Sequence, residues 1–227
     1  MRIVIASHKG WHAGFPEALG SRTGHEFVWI RERQELTLDR LSALSPRYVF
    51  FPHWSYLIPA EIHERYECVI FHMTDVPFGR GGSPLQNLIS RGIYETKISA
   101  LRCVSELDAG PVYLKRDFCL REGSAEDLYR AAARIIEDMI VEIVERQLEP
   151  ASQSGTPVVF RRRKPSESNI ADLENLRQLY DYIRMLDADG YPHAFLETSH
   201  LRLEFRQARQ EGDVIVSQVS FSEKPKV

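Results

Sequence analysis

The stretch from residue 68 to residue 114 constrains the fold of this 227-residue chain more than any other part of it. It begins with a short apolar run, passes through a loop that contains three glycines, and enters a helix at Pro84. Glycine marks loops and proline is favoured in the first helical turn, so the pattern predicts a strand, a loop, a helix and two further strands. His72 closes the first strand and Asp108 lies in the last loop, so we expect two titratable side chains at one sheet edge.

Short apolar runs alternate with helical stretches before this region as well. The predicted strands are residues 2–6, 26–30 and 48–51, and a helix is predicted over 36–44. Strands that alternate with helices at this spacing indicate a parallel sheet. We therefore predict an α/β fold with a Rossmann-like, mostly parallel sheet, helices on both faces, and a small C-terminal α+β subdomain. The first strand is not followed by G-x-G-x-x-G, which argues against a dinucleotide site.

The later part of the chain has a different pattern. Ser124 and Asp127 form a capping-box signature ahead of a long helix with one apolar face, which we expect to run to about residue 148. A polar connection follows, then a helix predicted from residue 169 to 185 and three alternating strands at 195–198, 201–205 and 214–221. The predicted division is a catalytic domain over 1–150, a linker and basic strand over 151–164, and a small subdomain over 165–227.

Composition narrows the classes of partner and compartment. The net charge is -3 with 27% charged residues, which disfavours a nucleic-acid partner. The three cysteines, Cys68, Cys103 and Cys119, have no metal-ligand spacing and predict buried free thiols and no metal site. The polar start of the chain does not resemble a signal peptide, and its apolar runs are shorter than the roughly 20 residues of a membrane span. We expect a cytoplasmic protein without membrane contact.

Several short motifs in one order resemble the folate-dependent formyltransferases, the family that includes methionyl-tRNA, glycinamide ribonucleotide and nucleotide-sugar N-formyltransferases. The resemblance covers roughly residues 1 to 150, and its matching positions are His72, Thr74, Pro77, Arg80-Gly81, Pro84, Glu95-Thr96 and Leu107-Asp108-Ala109-Gly110. It implies N10-formyltetrahydrofolate as co-substrate. One position departs from the family pattern, because the Asn that precedes the His by two residues is Ile70 here.

The resemblance implies that His72 and Asp108 are catalytic. Formyl transfer needs an amine to attack a carbonyl, so the protein must stabilise an oxyanion and remove a proton from the nitrogen. His72 is expected to donate to the oxyanion and Asp108 to accept the proton. Three candidates could replace the missing Asn: His53, which we name as the third catalytic residue, Asn87, or a backbone N–H.

Two groups of residues are expected to bind the substrates. The predicted folate pocket, in part implied by the resemblance, is Trp54, Tyr56, Leu57, Leu101, Val104, Leu107 and Ala109. The predicted acceptor site is His8, Lys9, Trp11, Arg80 and Gly81, with the basic run 161–164 as a further phosphate contact. For the loop that contains Trp54 and Tyr56, the alternative is an aromatic loop that packs on the core. For the basic run 161–164, the alternative is a solvated, charged strand end.

We predict formyl transfer to the amine of a UDP- or dTDP-linked amino sugar for bacterial surface-glycan synthesis. The segment 182–195 looks like the short C-terminal subdomain of nucleotide-sugar formyltransferases, and residues 165–227 are expected to be too short for a full tRNA-binding domain. The alternatives are glycinamide ribonucleotide or methionyl-tRNA as acceptor, or a catalytically silent folate-binding homologue. Phe205 and Phe221 could form a homodimer face or belong to the core.

Overall fold

The computed structural model describes residues 1–224. The strands are β1 (Arg2–Ala6), β2 (Glu26–Ile30), β3 (Tyr48–Phe51), β4 (Cys68–His72), β5 (Phe78–Gly81), β6 (Glu95–Arg102), β7 (Val112–Cys119), β8 (Val158–Phe160), β9 (Ala194–Glu197), β10 (Leu201–Glu211) and β11 (Val214–Glu223). The helices are α1 (Phe15–Thr23), α2 (Leu38–Leu44), α3 (Ala60–His63), α4 (Pro84–Ile89), α5 (Ala125–Arg146) and α6 (Leu176–Arg184).

Two compact units divide these residues. The first unit is Met1–Gly81, Thr96–Phe118 and Arg130–Val159. The second unit is Gly82–Glu95, Cys119–Tyr129 and Phe160–Val227, of which residues up to 224 are described. Each unit is therefore assembled from three separate stretches of chain. The predicted domain boundaries at residues 150 and 165 stay predictions.

A six-stranded sheet organises the first unit, in the order β2-β1-β3-β4-β6-β7. The strands β1, β2, β3 and β4 pair in parallel, and β6 pairs antiparallel with β4. β3 is buried along its whole length, and an all-apolar strand of this kind is typical of a parallel sheet covered on both faces. The prediction of an α/β fold with a mostly parallel sheet is confirmed.

One core cluster lies where β1, β3 and β4 run side by side. Its buried members are Val4, Ala6, Ile30, Leu36, Leu41, Val49, Phe51, Ile62 and Cys68. Partly buried side chains pack against it, among them Trp54, Ile58, Ile70 and Cys103. The loops that follow β3 and β6 are therefore anchored on the same apolar cluster as Ile70.

The glycine-rich segment after β4 is partly a strand. Residues Phe78–Gly81 form β5, which pairs with β8 in a two-stranded sheet, and the Val158 N–H donates to Pro77 O at 3.0 Å. Gly79 and Gly81 have φ of 77° and 103°, a conformation that glycine adopts without steric cost. The prediction of an irregular loop here missed this strand, because glycine-rich sequence hides the strand pattern.

The second unit contains the predicted antiparallel strands, in the order β11-β10-β9. Beside them, Arg184 of α6 is 1% exposed, and its guanidinium donates to Asp181 Oδ1 at 2.8 Å and to the carbonyls of Leu120 and Gly123 at 2.8 and 3.1 Å. Asp181 Oδ2 also accepts from Tyr94 Oη at 2.6 Å. This buried ion pair joins α6 to two earlier stretches of the same unit.

The helix predicted from residue 169 begins later, at Leu176. Asn169 is extended, and the Ile170 N–H donates to Phe195 O at 2.9 Å, so this segment pairs with β9 instead. Asn175 is the N-cap residue, and its side chain accepts from the Gln178 N–H. The sequence offers two capping asparagines, and tertiary pairing selects the second.

Other local predictions have mixed outcomes. The capping box is confirmed, because the Asp127 N–H donates to Ser124 Oγ and the Ser124 N–H to Asp127 Oδ2. Helix α4 begins at Pro84 as predicted, and the hydroxyl of the preceding Ser83 accepts from the Arg163 N–H and makes no helix cap. All three cysteines are free, yet Cys119 is exposed, so the prediction that it is buried is wrong. No helix among residues 1–224 has the length and apolarity that a membrane span requires.

Candidate active site

His72 and Asp108 meet in the first unit by a route that differs from the predicted one. His72 ends β4, whereas Asp108 follows β6, which runs antiparallel to β4 and therefore leaves the sheet at the opposite end. The loop after β6 turns back along the sheet, and Asp108 Oδ2 lies 3.4 Å from His72 Nδ1. Both side chains are buried, each residue being 7% exposed. The two groups share one site although the strand ends that carry them do not coincide.

The hydrogen on His72 Nε2 is already engaged. The partner of Nε2 is the carbonyl oxygen of Gly79 at 2.8 Å, and because a carbonyl can only accept, Nε2 carries the hydrogen. Nδ1 is then the nitrogen that faces Asp108 and can gain or lose a proton. The expected donation from His72 to an oxyanion would require Nε2 to leave Gly79.

The loop after β4 is fixed by buried hydroxyl groups. Thr74 Oγ1 donates to Gly79 O at 3.3 Å, and Ser99 Oγ of β6 donates to Thr74 O at 2.7 Å. Asp75 Oδ1 accepts from the Lys115 ammonium at 2.5 Å, so its carboxylate is a hydrogen-bond partner within the loop. These contacts hold Gly79 O where His72 meets it.

Asp108 is held in place by its backbone as well as its carboxylate. Its φ of 53° is left-handed, and its Oδ2 accepts the Gly81 N–H at 2.9 Å. Gln153 Nε2 donates to both Asp108 O and Gly110 O at 2.8 Å. Left-handed backbone is costly for a residue with a side chain, so external hydrogen bonds are needed to keep it. Gln153 supplies two of them from the segment predicted to be a linker.

Arg80 belongs to this support and is not offered to a ligand. Its Nε and NH2 donate to Gln153 Oε1 at 3.1 and 2.8 Å, and NH1 lies 3.3 Å from Glu106. Its side chain is only 12% exposed. The Gly81 N–H is likewise used by Asp108. Arg80 and Gly81 are thus engaged with Gln153 and Asp108, which argues against their predicted role as acceptor-binding residues.

Gly110 permits a close approach within the protein. A Cβ on Gly110 would lie 1.8 Å from Arg102 O. The absence of a side chain therefore lets the loop after β6 pass against its own strand.

A cluster of six rings lies beyond the ends of β1 and β3. We call it the ring cluster, and its members are His8, Trp11, His12, His53, Trp54 and Tyr56. Ring centroids are 5.2 Å apart for His12 and His53, 6.0 Å for Trp11 and His53, 5.7 Å for His8 and Tyr56, and 5.3 Å for Trp54 and Tyr56. The structure thus brings predicted acceptor residues together with predicted folate residues. Lys9 joins them, with Nζ 5.2 Å from the Trp11 ring centroid.

Two hydrogen bonds organise the interior of the ring cluster. Ser7 Oγ and His12 Nδ1 are 2.6 Å apart, and His12 Nε2 is 3.3 Å from His53 Nδ1. Burial lowers the pKa of His12 to about 2 and, together with Lys9 and His8, that of His53 to about 3. Both imidazoles are therefore neutral near pH 7. Sequence reasoning singled out His53 but missed Ser7 and His12, whose only signal is their place just after a buried strand.

The predicted folate residues are mostly accessible. Leu57 is 82% exposed, Leu107 58%, Tyr56 42% and Val104 36%, and these side chains lie in the loops after β3 and β6. Trp54 and Ala109 are half-buried. Leu101 is 0% exposed, so it lies in the core behind this surface and cannot line it. The exposed apolar side chains offer a surface of the kind that a flat ring system binds.

Two other predicted participants are less available than expected. The Asn87 amide donates to Gly82 O and Arg161 O at 2.9 and 3.0 Å, so both of its hydrogens serve the second unit. This disfavours Asn87 as the replacement for the missing Asn. In the basic run, Arg161 pairs with Glu167 at 2.5 Å and Arg163 donates to Glu167 O at 2.6 Å. This fits the alternative of a structural, charged strand end.

A family model and several known proteins are similar to this chain. A family model described as methionyl-tRNA formyltransferase, C-terminal domain, matches residues 165–222. Methionyl-tRNA formyltransferase of Bacillus mycoides (strain KBAB4) is 30% identical over 166 residues, which are 70% of this chain and 52% of that protein. The chain thus spans about half the length of the curated relatives it matches.

Solved structures extend the likeness over the whole chain. Methionyl-tRNA formyltransferase from Clostridium thermocellum is 44% identical with a TM-score of 0.95, covering 99% of this chain and 100% of that one. A sugar N-formyltransferase from Shewanella sp FDAARGOS_354 covers 100% and 99% of the two chains with a TM-score of 0.69 at 13% identity, and so shares the fold. HypX from Aquifex aeolicus, solved with tetrahydrofolic acid, has a TM-score of 0.74 at 19% identity and covers 92% and 38%.

The mixed sheet makes this an α/β protein with a buried His–Asp pair, and the chain belongs to the formyltransferase family. The expectation of closer kinship to the nucleotide-sugar enzymes is not supported, since 13% identity to one of them compares with 44% to a methionyl-tRNA formyltransferase. The family match at residues 165–222 also corrects the assignment of this segment to the sugar-enzyme type.

Proposed function

We propose that this chain transfers the formyl group of N10-formyltetrahydrofolate to the amine of methionyl-tRNA. The observation that carries formyl transfer is the buried pair of His72 Nδ1 and Asp108 Oδ2, 3.4 Å apart. The choice of acceptor is supported by the 44% identical relative and by the family match at residues 165–222. A cytoplasmic location fits this function.

The chain has residues that fit a folate. Exposed apolar side chains of the loops after β3 and β6, such as Tyr56, Leu57 and Leu107, would hold its ring system beside Ile70. Both loops pack against one core cluster, which restricts the movement of the side chains they carry. When bound, the folate supplies the formyl carbon that the amine attacks.

The chain's own residues manage charge and protons. As the amine attacks, its nitrogen becomes positively charged and must lose a proton, and the Asp108 carboxylate can accept it directly or pass it to His72 Nδ1. The Gly81 N–H fixes the Asp108 oxygen during this step. The carbonyl oxygen becomes negative at the same time and needs a hydrogen-bond donor. The bond between the formyl carbon and N10 of the folate would then break, and the proton taken up by Asp108 or His72 would pass to N10 as it leaves. Burial of both side chains strengthens these interactions.

A nucleotide-linked amino sugar is the second candidate acceptor. Net charge of -3 provides little long-range attraction for a polyanion such as tRNA, and Glu167 already neutralises part of the basic run. A small anionic substrate needs less positive surface. The same amine chemistry would serve either acceptor, or glycinamide ribonucleotide.

Mass spectrometry of reactions with N10-formyltetrahydrofolate tests the proposal. The acceptors are methionyl-tRNA, glycinamide ribonucleotide, and a panel of UDP- and dTDP-linked amino sugars. A mass gain of one CO on the methionyl group supports the proposal, and a gain on a sugar alone selects the second candidate. No gain on any amine, with the folate still bound, would indicate a silent folate-binding homologue.

A further inference from the structure

A hydrogen-bonded chain of three side chains runs through the first unit from Ser7 to His53. Ser7 and His12 are both 0% exposed, and the distances are 2.6 Å from Ser7 Oγ to His12 Nδ1 and 3.3 Å from His12 Nε2 to His53 Nδ1. The His12 and His53 rings stack at 28° to each other. Both ring nitrogens of the buried His12 therefore have a hydrogen-bond partner.

The hydrogens in this chain can be assigned from the serine end. Ser7 Oγ accepts the Lys9 N–H at 3.2 Å, and the acceptor within hydrogen-bond reach of the Ser7 hydroxyl among residues 1–224 is His12 Nδ1. A buried hydroxyl hydrogen needs an acceptor, so the serine donates to Nδ1. His12 must then carry its hydrogen on Nε2 and donate it to His53 Nδ1. His53 in turn carries its hydrogen on Nε2.

His53 lies next to His72 in the strand register. Phe51 of β3 pairs with Ile70 of the parallel strand β4, and His53 and His72 each follow two residues later. Neighbouring parallel strands are about 4.8 Å apart, so the two histidines leave adjacent strand ends. Ile70, two residues before His72 on β4, has no polar side-chain atom, and the hydrogen on His72 Nε2 is engaged by Gly79 O. The site therefore needs a donor from another residue.

We propose that Ser7 and His12 are positioning residues that fix the His53 tautomer with hydrogen on Nε2, and that this N–H is the donor to the carbonyl oxygen of the formyl group. The donor role rests on the proposed function, whereas the tautomer does not. Burial lowers the pKa of both imidazoles, which keeps them neutral and the direction of the chain fixed. Because a neutral His53 brings no positive charge, an incoming amine is not repelled.

Nitrogen-15 NMR of the imidazole rings in the full chain tests the tautomer without any need for activity. At neutral pH we expect Nε2–H patterns for His12 and His53, assigned through single His→Gln variants. In Ser7→Ala the His12 signals should move toward a mixture of tautomers. A hydrogen on Nδ1 of His53 in the unchanged protein would overturn the inference, whatever the enzyme's activity.

Kinetics with the best acceptor tests the donor role. His53→Ala should lower kcat about a hundredfold, as loss of an oxyanion donor does, and His53→Asn should restore part of it because the amide can donate. Ser7→Ala should lower kcat about tenfold. His63→Ala, a histidine of α3 outside the ring cluster, is the matched control. Equal activity of His53→Ala and the unchanged protein would eliminate the donor role and leave the proposed function standing.

Discussion

One oxygen of Asp108 has two partners: Oδ2 lies 3.4 Å from His72 Nδ1 and accepts the Gly81 N–H at 2.9 Å. The backbone donor fixes the carboxylate, so its position does not depend on the protonation of His72. A carboxylate held in this way can act as a base toward an amine without first reorienting.

Replacement of Asp108 by Asn should remove the base and keep the shape. We expect kcat to fall about a hundred- to ten-thousandfold, the usual contribution of general acid–base catalysis, with folate binding little changed. Asp117→Asn is the control, because Asp117 is an exposed partner of Lys97 in the same unit. Steady-state kinetics and folate titration measure both effects, and full activity of Asp108→Asn would refute the site assignment.

Gln153 should matter for activity although it lies far from Asp108 in sequence. Gln153→Ala removes the two donors to Asp108 O and Gly110 O, and we expect a fall in kcat of about tenfold. Gln153→Glu keeps an acceptor for Arg80 but also loses both donors, so it should be equally impaired. Ser152→Ala, at an exposed neighbouring position, should behave like the unchanged protein. An active Gln153→Glu would assign the effect to Arg80 instead.

Gly110→Ala should be strongly destabilising. The added Cβ would lie 1.8 Å from Arg102 O, so the loop must move, at a cost of about 3 kcal/mol in the free energy of unfolding. Gly14→Ala is the matched control, because a Cβ there meets nothing within 4 Å. Urea denaturation compares the two, and equal midpoints would show that the loop gives way at little cost.

The buried pair in the second unit should be costly to break singly. Asp181→Leu leaves the buried Arg184 guanidinium without a counter-ion, which costs about 3 to 5 kcal/mol. Arg184→Met should cost less, because Asp181 keeps its ion pair with Arg177 at 3.1 Å. The double variant should cost less than the sum of the two, because it leaves neither charge behind. Thermal and urea unfolding of all four proteins give the coupling energy, and strict additivity would mean that the pair is not a unit.

Acidification should destabilise the protein below pH 6.5. The unfolded chain protonates His12 near its ordinary pKa of 6.5, but the folded protein does so only near 2. Between these values the unfolded state binds more protons, so the free energy of unfolding falls as pH falls, by about 1.4 kcal/mol per pH unit for one such group. In His12→Gln the free energy of unfolding should depend less steeply on pH. In His200→Gln, at an exposed position, its dependence on pH should be unchanged. Urea titrations from pH 4 to 7 measure these slopes.

The local pattern of the sequence predicts most of the first unit. β1, β2 and β3 have the predicted bounds, because each is a short, largely apolar run between polar residues or turns. The antiparallel pairing of β6 with β4 and the return path of the loop after it leave no such trace. They depend on which strand edge is available once β1 to β4 have assembled.

The candidate site likewise has residues that the sequence predicts and residues that it does not. His72 and Asp108 can be found because short motifs surround them in a fixed order. Gln153 and His12 cannot, since each acts through a partner about 40 residues away and sits in sequence that otherwise reads as a polar turn. Contacts of that range become visible only when the chain is folded.

The three-part composition of the second unit restricts how this protein can be recombined with its relatives. A single exchange at residue 160 would carry Arg184 into a new chain but leave behind the carbonyls of Leu120 and Gly123 and the hydroxyl of Tyr94, which belong to the earlier stretches. A guanidinium would then be buried among acceptors of foreign geometry. The C-terminal strands must therefore be exchanged together with residues 82–95 and 119–129, and a single junction cannot do this.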